Sequence, residues 1–217
     1  MAKVKEENKE KTQETQTPEA QLKSYLTENK DDHYNFEERV EWGISTGSFL
    51  LDTITGQITP SLVRLVGQNN EGKTPEALEI IRNFLALPNT RSVFVLAEGR
   101  LSKENRERCG LKFVTNPDEW IDGTVFIFET NVYEAVIGLM RRLVKNNPEK
   151  KKYCFCIDSI DGLMLKDDID KPTNESNKVA GAPLLTKKLL QNISVAMVKF
   201  GHLMILVSQV ASEIKLD

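Results

Sequence analysis

Five short runs of nearly unbroken apolar residues, at 62–66, 92–97, 125–128, 153–157 and 203–207, limit what this chain can become more than any other feature. Each has strand length, and several are rich in Val, Ile and Phe. A strand that is apolar on both sides leaves no face for water, so it belongs in a sheet covered above and below, the usual state of parallel sheets. Parallel neighbours cannot be joined by tight hairpins and need crossover segments. The intervening chain supplies them: Val132, Val136, Leu139, Met140 and Leu143 recur at helical spacing, as do Leu189, Ile193, Met197 and Phe200. The expectation is an α/β domain over residues 41–217, with a mostly parallel sheet and helices on both faces.

Composition removes other classes. Of 217 residues, 40% are apolar and 28% charged, the balance of an ordinary globular domain rather than of a fibrous or wholly disordered chain. No stretch reaches the roughly 18 apolar residues of a membrane span, and the N-terminus lacks an apolar signal core. The expected setting is therefore the cytoplasm, with no membrane partner. Cys109, Cys154 and Cys156 are too few for a disulfide framework, and Cys154 and Cys156, two apart on one strand, share a face and read as core thiols. Charge is uneven along the chain: residues 1–40 hold 7 Lys/Arg against 10 Asp/Glu, whereas residues 41–217 hold 22 against 22. A strongly basic nucleic-acid binder is excluded in bulk, so any polyanion site must come from local clustering. Residues 1–40 read as an N-terminal arm, disordered over 1–20, in which Leu22, Tyr25 and Leu26 line one face of a short helix.

The stretch Gly67-Gln68-Asn69-Asn70-Glu71-Gly72-Lys73-Thr74 fits the phosphate-loop pattern G-x-x-x-x-G-K-[ST] without a mismatch. A predicted strand leads into it and a helix-compatible run at 76–85 leads out. Glycines at both ends let backbone N–H groups wrap phosphate oxygens, and the helix N-terminus adds positive potential. Lys73 is placed to reach the β- and γ-phosphates of ATP, and the Thr74 hydroxyl to ligate Mg2+. Pro75 is tolerated in a first helical turn, where its missing N–H has no intrahelical acceptor.

A phosphate-bound metal needs a second acid, and the run at 153–157 ends in Asp158. A carboxylate at the carboxyl end of a buried parallel strand sits beside such a loop. Glu98 ends the run at 92–97 and is a candidate for positioning an attacking water, with Glu129, at the end of the 125–128 run, as competitor. Gln209 closes the last run and is placed to touch a γ-phosphate. Residues 166–178, with neither strand nor helix period, read as a mobile loop. Arg141, Arg142, Lys145, Lys150, Lys151 and Lys152 read as a solvated helix end whose cations complement the helix dipole.

These elements resemble the core ATPase of the RecA/RadA recombinase family, in its divergent phage-type form. The likeness starts at Ile44-Ser45-Thr46-Gly47-Ser48 with Leu51-Asp52-Thr53 and Gly56, similar to the family's I-S-T-G-S-x-x-L-D segment. It continues through Leu65-Val66-Gly67, Phe94-Val95-Leu96-Ala97-Glu98 with Gly110, Ile157-Asp158-Ser159 and Ser208-Gln209. The resemblance implies a RecA-like P-loop NTPase core, an ATP hydrolase dependent on DNA, bound to single-stranded DNA and self-associated as a helical filament or ring. It implies Glu98 as water activator, Gln209 as γ-phosphate sensor, and 166–178 as the position of a first DNA-contacting loop. There Lys166, Lys171 and Lys178 face competition from Asp167, Asp168 and Asp170. Asn105 stands where RecA stacks an aromatic on adenine. Family cores continue with a second DNA-binding loop and basic residues reaching a neighbour's γ-phosphate; this sequence ends at Asp217, so the core reads as incomplete at its C-terminus and weak in turnover. Two other functions fit the same motifs: a nucleotide-binding structural or regulatory module, and a RecA-like helicase motor.

Overall fold

Among the described residues six strands run in one direction, so each begins at one edge of the sheet and ends at the other. The computed structural model of the protein describes residues 17–30, 32–99, 101–169, 187, 191 and 193–210. Leu189, residues 1–16 of the expected arm and residues 170–178 of the expected loop lie outside these. The strands are β1 (Ser61–Gly67), β2 (Thr90–Leu96), β3 (Lys112–Val114), β4 (Thr124–Glu129), β5 (Lys152–Asp158) and β6 (Leu203–Gln209), in the spatial order β1-β6-β5-β2-β4-β3. Every pairing is parallel. Five strands match the five apolar runs to within two residues. The short β3 carries no such run, which is why periodicity misses it.

Crossovers between parallel strands are right-handed, which decides the layering. The chain moves outward from β1 to β2 through α3 (Lys73–Leu85), and α4 (Lys103–Arg108) lies between β2 and β3. The chain returns from β4 to β5 through α5 (Tyr133–Lys145) and from β5 to β6 through helical residues 193–199. Outward and return helices therefore cover opposite faces. The core confirms the parity: Ala77, Leu78, Ile80, Ile81 and Phe84 of α3 pack with Phe94, Leu96, Cys154, Cys156, Leu203, Ile205 and Val207, alternate residues of one sheet face. Val93, Val95, Phe155, Ile157, Met204 and Leu206, of the other parity, are equally buried. Cys154 and Cys156 are fully buried, and burial pushes both thiols well up, as core apolar residues rather than ligands.

Phe84 sits at the foot of α3, edge-on to Trp42 with centroids 5.3 Å apart, and Trp42 Nε1 donates to the Gly201 carbonyl at 2.8 Å. Truncation of such a buried ring costs about 3–5 kcal/mol. The Ile44–Ser48 stretch braces the same end of the helix: Asn83 Nδ2 donates to the Ser45 carbonyl at 3.0 Å. Asp52, in α2 (Phe49–Thr55), accepts the Ser45 hydroxyl and the Thr46 N–H, which hold its carboxyl below the usual range.

The chain divides into two units, Met1–Glu37 and Glu38–Asp217. In the first, α1 (Pro18–Glu28) begins within the stretch expected to be disordered. Thr17 caps it, Pro18 opens its first turn and Glu19 faces its positive end, a complete start signal. The expectation of an aperiodic loop from 166 is corrected at its first residues: Lys166–Ile169 form a short helix, α6, whose Lys166 N–H donates to Glu134 Oε2 at 2.9 Å. Among the described residues no helix is long and apolar enough to cross a membrane.

His202 is fully buried before β6, its Nδ1 accepting the Tyr153 N–H at 3.0 Å while its Nε2 has no hydrogen-bond partner. Burial lowers its pKa from 6.5 to about 4. A depressed histidine leaves the unfolded chain holding the extra proton, so its contribution is complete above pH 6.5 and is lost as pH falls toward 4. In thermal melts between pH 7 and 4, His202→Asn, which keeps an acceptor for Tyr153, should lose less stability than the wild type. The difference in slope is expected to approach, at most, about 1.4 kcal/mol per pH unit.

Candidate functional site

The connections leaving β1 and β5 go to opposite faces, so the carboxyl ends of these strands, with β6 between them, flank a crevice. A cleft of about 380 Å³ lies there. Its walls are the loop residues Asn69, Asn70, Glu71, Gly72, Lys73, Thr74 and Pro75, facing Asp158, Ser159, Gln209, Val207 and Asn105.

The loop's shape follows from its residue types. Gly72, the N-cap of α3, has φ of +86°, a left-handed backbone that suits glycine, and offers no side chain to cap the helix. The start of α3 therefore has no side-chain cap, and Lys73 and Thr74 of its first turn line the cleft, where uncapped N–H groups suit an anion. Pro75 is third in the helix, where it removes no interior bond. Lys73 Nζ donates to the carbonyls of Gly67, at 2.8 Å, and Gln68. Gly67 and Gln68 thus hold the lysine, while the lining of the cleft begins at Asn69. Glu71 Oε2 accepts the Gln68 N–H at 2.6 Å and closes the turn.

Thr74 Oγ1 donates to Asp158 Oδ2 at 2.7 Å, joining residues 84 apart in sequence. A hydroxyl and a carboxylate in contact are hard oxygen donors, and Mg2+ is held by one or two such protein oxygens with phosphate and water completing its octahedron. Among the described residues no group of three or more His, Cys, Asp or Glu converges to form a closed metal cage. The donor set fits Mg2+. Ser159 Oγ, buried beside Asp158 in the cleft wall, has no hydrogen-bond partner.

The two candidate bases part company. Glu98, two residues past β2, reaches the cleft through Gln209, whose Nε2 donates to Glu98 Oε2 at 3.2 Å. Glu129, at the end of β4, is exposed and borders a separate hollow with Lys103, Arg106 and Leu101. Lys151 and Lys152 lie at the opposite edge of the sheet, where Lys151 pairs with Asp122 at 2.7 Å. Sequence reasoning missed Asp161, in a 3₁₀ turn at Ile160–Gly162, whose Oδ2 accepts the Gln209 backbone N–H at 2.7 Å. A second Asp three residues after Asp158 was the available signal.

Glu76 follows the loop on α3. Burial, then the charges of Glu79 and Asp52, push its carboxyl up, and its Oε1 is buried without a partner. The fold disfavours the charged form, a cost complete above the raised pKa and absent below the ordinary carboxylate range. Glu76→Gln should therefore raise the melting temperature at pH 7, with the gain shrinking as melts are taken toward pH 4. Neither a protein-family model nor a curated protein matches the chain.

Proposed function

We propose that the chain is the ATP-hydrolysing core of a RecA/RadA-type recombinase, with a RecA-like P-loop NTPase fold, acting on single-stranded DNA as a self-associated filament. The observation that carries this reading is the 2.7 Å contact of Thr74 with Asp158, made in the same cleft that holds Lys73 and an uncapped helix N-terminus. The order of signatures along the sequence, from the Ile44 segment to Gln209, supports the recombinase assignment over other phosphate-loop ATPases.

On this reading each residue has a defined task. The N–H groups at the start of α3 and the Lys73 ammonium bind the β- and γ-phosphates of ATP, with Lys73 exchanging its carbonyl partners for phosphate oxygens. Thr74 and Asp158 would hold Mg2+, which supplies charge neutralisation at the phosphate oxygens when bound. Glu98 orients the attacking water and accepts its proton as the water oxygen bonds to the γ-phosphorus and the bond to the β,γ-bridging oxygen breaks, leaving ADP and phosphate. Gln209, between Glu98 and the cleft, donates its amide to a γ-phosphate oxygen and so registers whether that phosphate is present. The same end of β6 leads into the residues beyond 210, through which that signal would pass.

The test separates binding from chemistry. Lys73→Ala should weaken ATP binding at least 10-fold in a fluorescent-nucleotide titration, because a positive charge in a phosphate nest is removed. Glu98→Gln should bind ATP within about 2-fold of wild type but lose on the order of 100-fold in kcat. Unchanged affinity in Lys73→Ala rejects the nucleotide site. Normal turnover in Glu98→Gln reassigns the base, and turnover indifferent to single-stranded DNA favours a regulatory nucleotide-binding module.

A further inference from the structure

We propose that Asp161 and Gly162, in the 3₁₀ turn after β5, are positioning residues that hold Glu98 and Gln209 as one unit; the inference rests on the nucleotide reading and extends it to residues outside the phosphate loop. Glu98 lies beyond the last paired residue of β2, so the sheet does not set its side-chain direction. Two neighbours do. On one side the Gln209 amide donates to its carboxylate. On the other, Gly162 leaves the room that Glu98 occupies: a Cβ at 162 would lie 2.2 Å from Glu98 Cγ and 2.9 Å from its Oε1. The Ala97 carbonyl, 3.0 Å from the same point, blocks the alternative of a small backbone shift. Gly162 does not adopt a positive φ, so its requirement is space and not backbone freedom.

Asp161 acts on the other member of the pair. Gln209 is the final residue of β6, and the Asp161 carboxylate takes its backbone N–H in a charge-assisted bond. The turn therefore ties the ends of three adjacent strands: it follows Asp158 on β5, grips Gln209 on β6 and shapes the seat of Glu98 beyond β2. A group that must meet an attacking water gains from being held to fractions of an ångström, and an unsupported glutamate on a strand end would sample several rotamers. Among the described residues no hydrogen bond or ion pair ties Asp161 or Gly162 to the phosphate loop or to the Thr74 and Asp158 side-chain oxygens, so their loss should act on kcat and leave affinity intact.

The experiment is a set of mutant cycles on the full chain. Asp161→Ala, Asp161→Asn and Gly162→Ala are made alone and in the Glu98→Gln background, with kcat measured by phosphate release and affinity by nucleotide titration. Asp161→Ala and Gly162→Ala should each lower kcat about 10-fold or more with ATP affinity within about 2-fold, and Asp161→Asn, which keeps an oxygen for the Gln209 N–H, should recover most of the loss. In the Glu98→Gln background Gly162→Ala should cost nothing further, because the group it positions is already gone. Hydrogen exchange at the Gln209 amide should quicken in Asp161→Ala and not in Asp161→Asn. Turnover that ignores Asp161→Ala and Gly162→Ala, a Gly162→Ala loss that multiplies with that of Glu98→Gln, or affinity that falls with kcat overturns the inference alone. A wild type that neither binds nor hydrolyses ATP overturns the nucleotide reading and this inference together.

Discussion

In a parallel sheet every strand delivers its last residue to the same edge, and this chain's candidate site depends on that constraint. Gly67, Gln209, Asp158 and Glu129 are the terminal residues of β1, β6, β5 and β4, and Glu98 lies two residues past β2. Backbone hydrogen bonding, not side-chain attraction, gathers them. Neighbouring strands stand about 4.8 Å apart, so β6, inserted between β1 and β5, sets the width of the cleft at roughly two strand spacings. That width lets Thr74, at the start of α3, reach Asp158 across the end of β6.

The same arrangement divides labour between burial and exposure. The helix α3 is anchored by five buried apolar residues, with Phe84 locked against Trp42, while its first turn carries none of that burden and keeps its N–H groups uncapped. Stability resides in the body of the sheet and the candidate site lies at its rim. His202 is an exception on the stable side: a titratable ring fully enclosed near the amino end of β6, with one nitrogen unpartnered. Its burial makes the core sensitive to mild acid at the edge remote from the cleft.

The acidic side chains around the cleft also have an order that distance alone reveals. Asp158 meets a hydroxyl, Glu71 closes the loop on Gln68, Asp161 grips the Gln209 backbone and Glu98 takes the Gln209 amide. Four carboxylates near one lysine would repel a triphosphate in isolation. On the proposed function, a divalent ion at Thr74 and Asp158 is what reconciles them with a polyanionic substrate.

Much of this was legible in order along the chain. Continuous apolar runs announced the strands and their direction because covered parallel strands need no polar face. The loop from Gly67 to Thr74 was readable because its chemistry resides in local backbone shape, which neighbouring residues dictate. Parity placed Cys154 and Cys156 in the core for the same reason. Residue type and place in an apolar run left Glu98 and Glu129 as competitors, and strand order is what sets them apart in space: β2 borders β5, whereas β4 is one place further out. The tertiary structure alone exposed Asp161 and Gly162, whose partners are 48 and 64 residues away in sequence and come within reach only once β2, β5 and β6 are paired. Local pattern specifies what each segment is; strand order, a property of the whole sheet, decides which side chains meet.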